Sequence, residues 1–180
     1  MRSHLRYALK SLPALLTALT LVLLAPGPAL ANTPKTRLTN TYSNECLRAT
    51  GEAVTVASNC SGAAQNFEWR FDQVPGGPNT FKYIKLDASE HPGTCLDNNG
   101  SRIYALRCNT GTYQQWVVTR FEPLRPPSGQ VGVQLKNVQT GICVDTTRSG
   151  SGWRIYPHAC NSGYFQQWNI SADAANFIGW

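Results

Sequence analysis

Six cysteines frame the chain. They form three pairs, Cys46/Cys60, Cys95/Cys108 and Cys143/Cys160; the first members are 49 and 48 residues apart and the second members 48 and 52. The surrounding text recurs with them. The first members lie in Glu45-Cys46-Leu47-Arg48, Thr94-Cys95-Leu96-Asp97 and Ile142-Cys143-Val144-Asp145. The second members open Cys108-Asn109-x-x-x-Tyr113-Gln114-Gln115-Trp116 and Cys160-Asn161-x-x-x-Phe165-Gln166-Gln167-Trp168, at identical spacing. In the first unit Cys60 is followed by Gln65, Phe67 and Trp69, so either Phe67 or a shifted Trp69 fills the Trp position. Self-similarity at this period decides the architecture before any local signal does. The repeats cover approximately residues 37–75, 80–122 and 130–171.

Six cysteines allow 15 pairings in principle. Pairing within each unit, Cys46–Cys60, Cys95–Cys108 and Cys143–Cys160, is the most economical one given the repeat. Each bridge then closes a loop worth about 3 kcal/mol on the chain-entropy model. A metal reading is weak, since the spacings are not those of zinc sites and neither His91 nor His158 stands at zinc-finger distance from a Cys. No metal or cofactor is expected.

Residues 1–31 read as a secretory signal. Arg2, Arg6 and Lys10 precede an apolar run from Leu12 to Ala25, and Ala29-Leu30-Ala31 supplies the cleavage pattern. The run is too short to span a membrane, and no other long apolar stretch follows. Secretion to an oxidising, extracellular setting is expected, where disulfides persist. The remaining chain, residues 32–180, is expected to be one domain of 149 residues and a monomer. Removing the signal lowers the net charge from +6 to +3, with 13 Lys/Arg against 10 Asp/Glu and no basic cluster. Nucleic acid and anionic membrane are therefore unfavoured partners. Asn, Gln, Ser, Thr and Gly make up 60 of those 149 residues, a mixture from which long helices are hard to build.

Local signals are short strands between turns. Phe81-Lys82-Tyr83-Ile84-Lys85-Leu86 and Val131-Gly132-Val133-Gln134-Leu135-Lys136 have strand character, as do segments 102–106, 154–158, 117–118 and 169–170. Asn99-Gly100 and Ser149-Gly150-Ser151-Gly152 read as turns, and segments 75–78 and 123–129 as linkers. About four strands per unit give about twelve in all, and a closed or nearly closed all-β barrel would leave few exposed edges.

Three units with paired Cys, two of them carrying Cys-Leu/Val-Asp and Gln-x-Trp and the first a degenerate copy, resemble the ricin-type β-trefoil lectin domain, over nearly the whole of residues 37–170. The closest likeness is to its secreted bacterial single-domain members. The resemblance implies a six-stranded barrel capped by three hairpins with pseudo-threefold symmetry. It also implies binding of neutral glycans, such as galactose or xylose units, often in the service of a toxin or an enzyme subunit.

Within that resemblance the Trp residues are core, while the Gln of each motif steadies the Asp two residues after the first Cys. A Gln amide can donate to a carboxylate and fix its direction, and that Asp would accept from sugar hydroxyls. These roles map to Asp145 with Gln166 and to Asp97 with Gln114. A sugar also needs a flat apolar face. The family's aromatic lies two residues before the second Cys, where this chain has Ser58, Leu106 and His158. Tyr104, Tyr156 and Trp153 are alternatives. Tyr113 and Phe165 stand where the family's sites carry an Asn. Unit three is thus the first candidate, with Asp145, Trp153, Tyr156, His158, Asn161 and Gln166. Unit two follows, with Asp97, Asn98, Tyr104, Asn109 and Gln114. Unit one, with Arg48 and Ser58 at these positions, is expected to bind no sugar.

Catalysis is not expected. The ten acids of residues 32–180 are scattered, without the paired carboxylates a glycosidase needs. There is no Gly-x-Ser-x-Gly elbow, and the Cys residues are all matched in pairs. The rival expectation is a trefoil that binds protein: a non-catalytic toxin or cell-targeting subunit, or a protease inhibitor. The terminal Phe177-Ile178-Gly179-Trp180 is expected to pack Trp180 on the barrel.

Overall fold

The computed structural model describes residues 34–58, 60, 64–74, 82–88, 93–121 and 126–180. The signal segment 1–31, the linker 75–78, His91 and residues 123–125 of the second linker lie outside the described residues.

The first repeat supplies β1 (Lys35–Thr36), β2 (Thr39–Asn40), β3 (Cys46–Thr50), β4 (Ala53–Ala57) and β5 (Trp69–Gln73). The second supplies β6 (Lys82–Ala88), β7 (Thr94–Asn98), β8 (Ile103–Arg107) and β9 (Trp116–Arg120). The third supplies β10 (Gln130–Asn137), β11 (Ile142–Ser149), β12 (Gly152–Ala159) and β13 (Trp168–Ser171). A short helix, α1 (Ala172–Phe177), follows. Thirteen strands are described rather than about twelve because the first barrel strand is broken at Arg37-Leu38.

The outer strands of the repeats form a closed ring. β5 pairs with β6, β6 with β9, β9 with β10 and β10 with β13. The broken first strand completes it, β2 on β13 and β1 on β5. All these pairings are antiparallel, and closure removes the barrel's edges. The inner strands form hairpins β3–β4, β7–β8 and β11–β12. Each hairpin joins the barrel at its first Cys, in the pairs Thr39↔Cys46, Asp87↔Cys95 and Lys136↔Cys143. This is the expected β-trefoil.

Alternation along the closing strands builds the core. Trp69 and Phe71, Trp116 and Val118, and Trp168 and Ile170 are all buried. Each Trp indole N–H donates to the carbonyl of the residue after its repeat's first Cys: Leu47 at 3.1 Å, Leu96 at 3.0 Å and Val144 at 3.1 Å. The common geometry settles the ambiguity of the first repeat: Trp69 is the third Trp, and Phe67 stands where the other repeats carry Gln114 and Gln166.

The residue two before each first Cys turns the chain into the hairpin with positive φ: Asn44 at 58°, Gly93 at 81° and Gly141 at 68°. Only Gly, or an Asn that tolerates the left-handed region, fits there cheaply. The three expected disulfides form.

Two buried asparagines clasp neighbouring repeats. Asn137 Nδ2 donates to the Tyr113 carbonyl at 2.7 Å, and its Oδ1 accepts from the Gln139 and Thr140 amides. Asn40 does the same one repeat on, donating to the Phe165 carbonyl at 2.7 Å and accepting from Tyr42 and Ser43. At the end of the chain, Ser171 caps α1 by accepting from the Ala174 amide at 3.3 Å, and Ile178 is buried. Trp180 packs against the core as expected.

Candidate functional site

Directly opposed residues of a hairpin share a face. In β11–β12, Cys143 opposes His158 and Asp145 opposes Tyr156. In β7–β8, Cys95 opposes Leu106 and Asp97 opposes Tyr104. In β3–β4 the pair matching Asp–Tyr is Arg48 and Thr55. The acid and the aromatic are therefore brought together in units two and three, and both are replaced in unit one.

Unit three holds its carboxylate tightly. Gln166 Nε2 donates to Asp145 Oδ2 at 2.7 Å and to the Ala159 carbonyl at 2.9 Å, while Gln166 Oε1 accepts from the Asn161 amide at 2.9 Å. Gln134 of β10 adds a donor to the same Oε1 at 3.0 Å. The Gln166 amide is thus fixed in one orientation. His158 Nδ1 stands 3.7 Å from Asp145 Oδ2, and the His158 and Tyr156 rings lie 5.5 Å apart. Asp145 is only 3% exposed, and its Oδ1 has no hydrogen-bond partner among the described residues. Burial raises the Asp145 carboxyl above the ordinary carboxylate range, against the lowering pulls of Gln166, His158 and the Thr146 backbone. Burial also raises the Tyr156 phenol, with the Asp145 charge adding to it.

Unit two departs from the expected pairing. Gln114 repeats the backbone contacts of Gln166, donating to the Arg107 carbonyl at 3.1 Å and accepting from the Asn109 amide at 2.8 Å. Among the described residues Gln114 makes no hydrogen bond to Asp97, which instead has Tyr104 directly opposite it on the hairpin. Burial raises the Tyr104 phenol, with the Asp97 carboxylate adding to it. Leu106, in place of His158, brings no second polar group to the acid.

Asn98 is a correction. Strand alternation turns it inward with Leu96, away from Asp97; it is fully buried, and its Oδ1 accepts from the Gly100 amide at 2.7 Å. Asn109 and Asn161 shape turns through Oδ1, accepting from the Gly111 amide at 2.6 Å and the Gly163 amide at 2.7 Å. Trp153 is placed away from Asp145. It opposes Arg148, on the hairpin face that Asp145 does not share.

Trp153 lies instead in a groove of about 290 Å³, walled also by Tyr42, Thr146, Thr147, Arg148, Tyr156 and Phe165. Sequence reasoning missed Tyr42 and Arg148 as neighbours of this site. Tyr42 belongs to repeat one, and only barrel closure brings it here. A larger groove of about 700 Å³, lined by residues such as Lys35, Asn44 and Gln130, includes none of the candidate sugar-binding residues. Among the described residues no three His, Cys, Asp or Glu side chains cluster as metal ligands would, and no helix is long and apolar enough to cross a membrane.

No protein-family model matches the chain, and no curated protein sequence does. Solved structures do. A designed 3-fold symmetric protein, ThreeFoil, matches with a TM-score of 0.56 at 21% identity, over 76% of this chain and 97% of its own. The Haemophilus ducreyi cytolethal distending toxin matches at 0.57 and 18% identity, over 77% of this chain and 83% of that one. A Polyporus squamosus lectin, solved with the epitope Neu5Aca2-6Galb1-4GlcNAc, matches at 0.58 and 16% identity, over 79% of this chain and half of its own. At these identities the likeness is one of fold, a β-trefoil.

Proposed function

We propose that the protein is a secreted, non-catalytic carbohydrate-binding module that recognises neutral glycans through repeats two and three. The observation that carries this reading is the buried acid opposite an aromatic in two hairpins of three. A buried carboxylate with an unpartnered oxygen costs stability. The fold does not require it, because unit one replaces Asp, Tyr and Gln with Arg48, Thr55 and Phe67. Local rules broken without a structural return mark functional positions.

In this reading Asp145 and Asp97 accept from sugar hydroxyls, and Gln166 holds Asp145 in one orientation. Tyr156, His158 and Tyr104 offer ring faces to the sugar's C–H side. The solved lectin among the fold's neighbours is consistent with this role. The toxin among them keeps a second reading in view, a non-catalytic protein-binding or cell-targeting subunit of a toxin that binds no sugar.

A glycan array probed with residues 32–180 tests the reading. Binding to neutral galactose- or xylose-bearing glycans is expected, with most of it lost in Asp145→Ala. A silent array, or an Asp145→Ala protein that binds as before, would contradict it.

A further inference from the structure

The groove beside the unit-three hairpin, walled by residues from both of its faces, is unlike anything at the equivalent junction. Tyr42, two residues after the Asn40 clasp, packs on Phe165 with ring centroids 4.4 Å apart, and Trp153 stands 5.9 Å from Tyr42 and 6.0 Å from Phe165. Tyr42 is 57% and Phe165 38% exposed, so these rings are not there to fill the core. The Arg148 guanidinium lies 5.4 Å from the Trp153 ring. At the junction of repeats two and three, the Asn137 clasp makes the same backbone contacts. There Gln139 takes the place of Tyr42 and Ser101 that of Trp153, so of the three clustered rings only Phe165 keeps an aromatic counterpart, Tyr113. The fold therefore closes without an aromatic cluster at such a junction.

We infer that this groove is a second sugar subsite, which takes the residue linked to the sugar held at Asp145. The inference rests on the proposed function and deepens it. Continuity is the first argument: Tyr156 opposes Asp145 on the hairpin and also walls the groove. Size is the second, since about 290 Å³ falls at the lower end of small-molecule sites and suits about one sugar ring. Chemistry is the third. Three rings offer apolar faces, Thr146 and Thr147 carry hydroxyls, and Arg148 is the only charged side chain in the wall and a multiple donor. Unit three thereby reads an oligosaccharide, whereas unit two reads a single residue.

The test is calorimetry with galactose, xylose and their oligosaccharides of two to four residues. Wild-type protein should bind the two-residue ligand on the order of tenfold more tightly than the monosaccharide. Tyr42→Ala and Arg148→Ala should remove that gain, leave the monosaccharide affinity unchanged and keep the wild-type melting temperature. Asp145→Ala, in which only unit two works, should show no dependence on chain length. Equal affinity for mono- and oligosaccharide, or a gain that survives Tyr42→Ala, overturns the subsite and leaves the Asp145 site standing. Binding to none of these ligands removes the sugar reading and this inference with it.

Discussion

Asp145 answers to two opposed demands, and pH separates them. Its carboxyl is raised by burial, so the folded chain takes up the proton more readily than the unfolded chain does. Its contribution to stability is therefore greatest below the unfolded carboxylate value and is lost as pH rises through the folded one. Sugar binding runs the other way, because the acceptor is the carboxylate. Binding at unit three should thus fall on acidification, starting above the ordinary carboxylate range. In His158→Gln the carboxyl loses one of its lowering pulls, and the fall should move to higher pH. Titration calorimetry across pH 3–7 reads both shifts, and a profile identical in the two proteins would contradict the placement of His158 beside the acid.

Gly141 tests the backbone in the same way. At φ 68° a side chain is disfavoured whatever the space around it. Gly141→Val should destabilise by about 1–2 kcal/mol in urea unfolding. Gly141→Asn should lose much less, since Asn44 already occupies the equivalent position in repeat one.

Between repeats, the clasps hold the elements in register. Asn137→Ala leaves the Tyr113 carbonyl without its buried side-chain donor and should cost about 1–3 kcal/mol in thermal or urea unfolding. An unchanged midpoint would show that water replaces the clasp. The sequence made much of this level legible. Cysteine spacing marked the repeats, and alternation marked the strands. The same alternation held the information that Asn98 shares a face with Leu96 while Asp97 shares the opposite one with Cys95. The clasps left a fainter trace, an Asn six residues before the first Cys in repeats one and three. The Tyr42 groove left none, because its walls come from opposite ends of the chain and meet only where β2 pairs with β13. The difference between Gln166 and Gln114 was likewise hidden, since the two share one motif and the same backbone contacts and only the folded geometry separates their reach to the acid.

At the scale of the whole molecule, a closed barrel fixes two carboxylate sites on one rigid body. On the proposed function, a lone sugar site with few contacts would bind on the order of millimolar, about −4 kcal/mol. Two on one body can raise the apparent affinity for a polymer by about 10²–10⁴ without any new contact. The low charge of residues 32–180 fits such a surface, on which neutral polar groups and rings outnumber ions. The most direct measurement is the stoichiometry of calorimetric titration with the neutral monosaccharide that scores highest on the array. Two sites per chain are expected for the wild type, one each for Asp97→Ala and Asp145→Ala, and none for the double variant, all with the fold intact. A double variant that still binds with wild-type stoichiometry would contradict the account.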